Sequence, residues 1–167
     1  MSCTNTKLKK IKIVLTDIDG VLTDGGVYFG DKGQILKKFH IRDGMGVNIL
    51  LRNNIPTIIV TKEKNEINKQ WASSMNIKKI YQGIIKKETI IKKICKNFDV
   101  SPNQLAYIGD DVNDIELLNK VGFSATPNDG NFEVKKICDY ICKSKGGEAA
   151  FREVADLVID AQGLTKK

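Results

Sequence analysis

Three short apolar runs constrain this chain more than anything else in it: Ile11-Lys12-Ile13-Val14-Leu15, Thr57-Ile58-Ile59-Val60-Thr61 and Gln104-Leu105-Ala106-Tyr107-Ile108. β-Branched and aliphatic residues at that density and length read as strands buried on both faces, the pattern of a parallel sheet. Helical stretches of about ten residues separate them, at 45–53, 63–75, 87–98 and 112–120, with further short strands at 79–81, 121–125 and 138–142. Alternation of this kind builds βαβ units, so the fold class is α/β, with helices covering both sheet faces. Residues 131–137 read as a helix, Lys145-Gly146-Gly147 as a break, and 148–162 as a final amphipathic helix. Between the first strand and the first helix, Val27-Tyr28-Phe29, the turn Gly30-Asp31-Lys32-Gly33 and residues 34–39 form a β-hairpin signal.

The 167 residues fit one domain, 1–167, with the hairpin at 25–39 as an insertion and 143–167 as a C-terminal segment and helix. No apolar run approaches 18 residues and Met1 to Lys10 is polar, so a soluble, cytoplasmic protein without membrane association is expected. Cys3, Cys95, Cys138 and Cys142 contain no Cys-x-x-Cys pair and His40 is the single histidine, which argues against a zinc site or a disulfide framework. The net charge of +7 comes almost entirely from lysine, since only Arg42, Arg52 and Arg152 are arginines. The lysines occur in scattered pairs without interleaved aromatics, which gives nucleic-acid bases no platform to stack on. A small anionic ligand suits the positive balance better than nucleic acid.

Polar groups recur where the apolar runs stop. Asp17 and Asp19 follow the first strand, with Gly20 giving the break; Thr61 ends the second; Lys87 lies just past the third; Asp110, Asp111 and Asp114 follow the fourth. In open α/β sheets the crevice beyond the carboxyl ends of the strands is where ligands bind. Asp-x-Asp-Gly taken alone is an ordinary turn, and Asp111 or Asp114 taken alone is an ordinary helix cap. Five strand-end carboxylates are not explained that way. Asp17 and Asp19 would repel each other unless a cation or a shared proton offset the charge, which suggests Mg²⁺. Thr61 also reads as an N-cap, and Lys86 competes with Lys87, although the spacing from Tyr81-Gln82-Gly83 favours Lys87.

Through Asp17-x-Asp19-Gly20, Thr61, Lys87 and Gly109-Asp110-Asp111-x-x-Asp114, in that order, the chain resembles the haloacid dehalogenase superfamily over nearly its whole length. Asp19 to Asp24, Arg42-Asp43-Gly44-x-Gly46, Tyr81-Gln82-Gly83, Gly146-Gly147 and Arg152-Glu153 resemble its small capless phosphatases of 2-keto-3-deoxy sugar-acid phosphates, the octulosonate 8-phosphate type. The resemblance implies a Rossmann-like doubly wound parallel sheet with an inserted β-hairpin and no cap domain. By it, Asp17 is the nucleophile that forms an aspartyl-phosphate and Asp19 the general acid and base. Mg²⁺ is then held by Asp17, Asp110 and the backbone carbonyl of Asp19, and Thr61 and Lys87 hold the phosphoryl oxygens. Asp111 and Asp114 orient metal waters and Lys87.

The resemblance places a substrate loop at residues 40–44, so His40, Arg42, Asp43 and Gly44 are candidate substrate contacts, with Asn48, Glu63 and Trp71 where the octulosonate enzymes carry basic groups facing the sugar carboxylate. None of these last three is basic here. Glu63 and Gly146-Gly147-Glu148 instead resemble phosphatases of nine-carbon acid 9-phosphates, so eight- and nine-carbon substrates both stay open. The hairpin implies a homotetramer whose neighbouring subunits close each site, and residues 145–149 match a mobile C-terminal segment. A non-catalytic oligomerisation module of a sugar-acid activation pathway is the alternative of another class; the intact acidic motifs weigh against it.

Overall fold

Six parallel strands form the central sheet of the computed structural model, which describes residues 3–31, 33–77 and 79–166. After a short helix α1 (Cys3–Leu8), which the polar N-terminus did not announce, the chain enters β1 (Ile13–Thr16). It then makes β2 (Tyr28–Gly30) and β3 (Gly33–Leu36), α2 (Ile41–Arg52), β4 (Thr57–Val60), α3 (Glu66–Ser74) and β5 (Lys79–Tyr81). A 3₁₀ turn at Lys87–Ile90 runs into α4 (Ile91–Phe98), followed by β6 (Leu105–Ile108), a 3₁₀ turn at Val112–Asp114 and α5 (Ile115–Leu118). The chain closes with β7 (Phe123–Thr126), α6 (Phe132–Lys135), β8 (Tyr140–Ile141) and α7 (Ala150–Ala161).

The strand order is β5-β4-β1-β6-β7-β8. β1 pairs with β4 on one side and β6 on the other, so the chain reverses its direction of progress across the sheet at β1. That reversal opens a crevice beyond the carboxyl end of β1. Alternate residues of each strand enter different cores. Ile13 and Leu15 of β1, with Ile58, Val60, Leu105 and Tyr107, pack against α4 and α5 through Ile91, Ile94, Leu117 and Leu118. Val14, Ile59, Ala106 and Ile108 pack on the opposite face against Leu50 of α2 and Phe151, Val154 and Val158 of α7. The sheet is therefore doubly wound, as the alternation of elements requires.

The structure moves several boundaries. α2 begins four residues before the expected start because Gly44 and Gly46 disguise its first turns; glycine costs about 1 kcal/mol in a helix interior. Close packing explains them: a Cβ on Gly44 would stand 2.3 Å from Met75 Sδ and one on Gly46 3.2 Å from Arg152 Cα. The helix expected over 112–120 is a 3₁₀ turn followed by four α-helical residues. Residues 145–149, expected to be mobile, lie against the chain's own first loop: Gly147 N donates to Val21 O, and a Cβ on Gly146 would sit 2.0 Å from Gly20 O. Lys32, in the hairpin turn, lies outside the described residues, as do Met1, Ser2, Lys78 and Lys167. The hairpin forms its own two-stranded antiparallel sheet, tied back to the domain by a bridge between Thr23 and Phe39.

Candidate active site

A cavity of about 490 Å³ opens beyond the end of β1, lined by Asp17, Asp19, Gly20, Gly25, Thr61, Lys62, Glu63, Asp110, Asp111 and Asn113. Adjacent parallel strands bring these residues together, because β1, β4 and β6 end side by side. Asp17 leaves the sheet with its own N–H still bound to Ile108 O (3.0 Å), and its Oδ1 accepts from Ile18 N (2.7 Å). Its side chain is thereby fixed before any ligand arrives.

Behind Asp17 stands a fully buried network. The Lys87 ammonium donates to Asp17 Oδ2, to Asp114 Oδ1 (2.6 Å) and to Tyr107 Oη (3.3 Å), while Tyr107 Oη donates to the same Asp114 oxygen (2.6 Å). The other oxygen, Asp114 Oδ2, accepts from the backbone N–H of Asp110 (3.0 Å) and of Asp111 (3.4 Å). Lys87 and Asp114 are both completely buried, whereas Lys86 is exposed, so it is Lys87 that joins Asp17. Asp111 is exposed and accepts from Asn131 Nδ2.

Three carboxylates face one ammonium here, and the balance shows in the acidities of Asp17 and Asp110. Burial lifts Asp17 to about 6 despite the neighbouring Lys87 charge, with Asp114 adding to the rise. Burial, then the charges of Asp17 and Asp114, lift Asp110 to about 8. One oxygen from each of Asp17, Asp110 and Asp114 lies within 4.8 Å of the others. An all-oxygen, charge-excess cluster of this kind fits a hard divalent cation such as Mg²⁺. Asp114 is fully buried behind the cavity, whereas Asp17 and Asp110 line it, which makes these two the side chains placed to ligate. Gly20 makes the room: at φ +80° it has no Cβ where one would meet Asp110 Oδ2 at 2.0 Å.

A second lysine serves the mouth of the cavity. Lys37, just past β3, donates to Asp19 Oδ1 (2.7 Å) and Oδ2 (2.9 Å) and to Glu63 Oε2. Burial raises Asp19 above the ordinary carboxylate range, with Lys37 opposing and Glu63 adding. Thr61 is buried at the end of β4, its Oγ1 accepting from Glu63 N (3.3 Å). Lys37 escaped the sequence reading because a lysine among scattered lysine pairs carries no signal of its own.

The substrate candidates divide. His40, Gly44, Asn48 and Trp71 line a separate cavity of about 410 Å³ with Phe39, Ile41, Met45 and Met75. Phe39 stacks on Trp71 at 4.7 Å between ring centroids, and His40 Nδ1 caps α2 by accepting from Arg42 N. Arg42 is exposed. Asp43 is not brought to either cavity: it is fully buried, and its Oδ1 accepts from Arg152 N (2.9 Å) at the first turn of α7. α7 opens on Ala149, which has no oxygen to cap with, so Asp43 does the capping from another helix.

Two-sided parallel sheet, acidic strand ends and a buried lysine define a class of hydrolase. Residues 51–151 match the haloacid dehalogenase-like hydrolases, and the chain belongs to that family. Within it, the chain is 36% identical to the 3-deoxy-D-manno-octulosonate 8-phosphate phosphatase KdsC of Haemophilus influenzae, covering 94% of this chain and 87% of that one. The 1.95 Å structure of the Yersinia pestis phosphatase of the same name superimposes with a TM-score of 0.93 at 32% identity, over 96% of this chain and 86% of that one. The Moraxella catarrhalis phosphatase, solved with magnesium, phosphate and KDO, gives 0.93 at 31% identity, over 96% and 92%.

Proposed function

We propose that the protein is a Mg²⁺-dependent phosphoric monoester hydrolase that removes phosphate from 3-deoxy-D-manno-octulosonate 8-phosphate, acting as a single domain. The observation that carries this reading is the convergence of Asp17, Asp110 and Lys87 from three chain segments on one crevice at the reversal point of the sheet. The similarity to KdsC phosphatases over most of both chains supplies the substrate. It favours the eight-carbon acid over nine-carbon acids and over a non-catalytic module.

Asp17 would attack phosphorus in line, giving an aspartyl-phosphate and splitting hydrolysis into two displacements. Asp19 donates the proton to the departing sugar alkoxide and then withdraws one from the attacking water. Thr61 and Lys87 hold the phosphoryl oxygens, and Asp114 with Tyr107 keeps the Lys87 ammonium aimed at Asp17. Asp17, Asp110 and the Asp19 carbonyl would hold Mg²⁺, which when bound offsets the repulsion between nucleophile and phosphate. His40, Arg42, Asn48, Glu63 and Trp71 are proposed for the sugar. Lys37 to Phe39 runs from the acid at the first cavity to the stacked Trp71 at the second.

The hairpin supports a homotetramer: Val27, Tyr28, Phe29 and Leu36 are all more than half exposed, Phe29 at 74%. Sedimentation should give four copies of 18.6 kDa, and Phe29→Lys should lower that mass. Among the described residues no helix is long and apolar enough to cross a membrane. The deciding experiment is a phosphate-release panel with KDO 8-phosphate, KDN 9-phosphate and N-acetylneuraminate 9-phosphate, each with and without Mg²⁺. Release from the first alone supports the assignment; release only from the nine-carbon substrates replaces it; release from none defeats it.

A further inference from the structure

We propose that Lys37 is a positioning residue for Asp19, delivered by the hairpin and steadied by Glu63, and that the proton-transfer half of the reaction depends on it. The inference rests on the phosphatase reading above. Its geometric basis is separate from the Asp17 network. The Lys37 side chain is 1% exposed, although the Asp19 and Glu63 side chains that flank it are 39% and 38% exposed. A lysine normally keeps its charge in water, so burying this one against two half-open carboxylates is a fixed arrangement rather than a passing surface pair. It engages both oxygens of Asp19 at 2.7 and 2.9 Å, which fixes the rotation of the carboxyl as well as its position. Thr23 Oγ1 reaches Asp19 only at 3.5 Å, too long to hold it, and the Glu63 carboxyl beside it is a second acid that needs the same ammonium.

Glu63 completes the device. It shares the ammonium with Asp19, and its own backbone N–H is bound to Thr61 Oγ1. The acid at the first loop, the hairpin base and the phosphate-gripping end of β4 are thus tied through one ammonium. A carboxyl swung away by one rotamer cannot reach the leaving oxygen, since proton transfer requires a hydrogen-bonded geometry.

Leaving-group dependence separates this role from a merely structural one. A sugar alkoxide needs a proton to depart, whereas p-nitrophenolate does not. Lys37→Met should therefore lower kcat/KM, which reports the steps through departure of the leaving group, on the order of 10²-fold for KDO 8-phosphate while leaving kcat/KM for p-nitrophenyl phosphate within about a factor of three. The Mg²⁺ requirement should be unchanged, and Lys37→Arg should recover most of the lost ratio. Circular dichroism and sedimentation report whether the variant is folded; if Lys37→Met is not, Lys37→Gln, which keeps a polar end on the side chain, provides the same reading, with the same bias toward the sugar substrate. Equal losses on both substrates in a folded variant, or no loss on either, overturn the inference. The functional reading fails earlier and elsewhere, in the wild type: if another sugar phosphate proves to be the substrate, it takes the place of KDO 8-phosphate in the comparison.

Discussion

Two lysines in this molecule each sit between two carboxylates, and they are built in opposite ways. Lys87, Asp17 and Asp114 lie behind the crevice with side chains at 0%, 8% and 0% exposure, and every polar atom of Lys87 and Asp114 has a named partner. Lys37 is just as buried, but Asp19 and Glu63 open on to solvent. The first cluster hangs entirely from loops of the central sheet; in the second, Asp19 and Glu63 follow β1 and β4, and the lysine alone comes from the two-stranded hairpin outside it. On the proposed roles, the group that holds still through both chemical steps is set in the buried layer, and the group that gives and takes a proton is set where water can reach it.

Replacing the nucleophile tests the inner cluster most severely. Asp17→Asn should lower turnover by on the order of 10⁴-fold or more in a phosphate-release assay, and retained turnover would remove Asp17 from its role. Next comes the cost of an orphaned charge. Lys87→Met should destabilise the protein by about 3–5 kcal/mol in urea unfolding, because it strands Asp17 and Asp114 in the interior. Chelation should abolish turnover and Mg²⁺ restore it; at about a hundredfold excess over its Kd, Mg²⁺ should add about 2.7 kcal/mol of stability to the wild type and much less to Asp110→Asn.

Asp43 belongs to neither cluster and sharpens the contrast, being buried against backbone N–H groups rather than against an ammonium. Burial raises it from 3.8 to about 7, against the pull of the Arg152, Ala149 and Phe151 N–H groups. A carboxyl whose folded value lies above its unfolded one takes up a proton on folding. Its contribution is full below about pH 4 and is lost as pH rises toward 7, so stability should slope down across that window. In Asp43→Asn that part of the slope should vanish; an unchanged slope would show that other groups set it. The smallest effect is expected at the outer cluster, where Lys37→Met should cost about 1 kcal/mol of stability, its partners being well hydrated. If it costs as much as Lys87→Met, the contrast between the clusters collapses.

The sheet was legible because its signal is local and redundant. Ile13 to Thr16, Thr57 to Val60 and Leu105 to Ile108 each carry enough apolar bulk to declare a buried strand, and the polar residue after each marks its end. For the same reason Asp17, Thr61 and Asp110 could be nominated from the chain alone, as could Lys87 from its spacing. What stayed hidden depends on contacts between distant segments. Nothing near Asp43 says that it caps a helix 107 residues later, and nothing near Lys37 says that a glutamate in another loop will hold it. Gly44 misled as a helix breaker because its reason, the Met75 sulfur, lies across a helix pair.

The position of β1 has a temporal consequence. It is made first, yet its neighbours are residues 57–60 and 105–108, and Asp17 N is held by Ile108 O. During synthesis the Asp17 loop must therefore wait for Ile108 to leave the ribosome before this hydrogen bond exists. Pairings of such long sequence separation form late and slowly. A nascent chain stalled before β6 would display a half-built sheet edge and no competent crevice, so catalytic readiness arrives only once the second half of the fold has closed around the first.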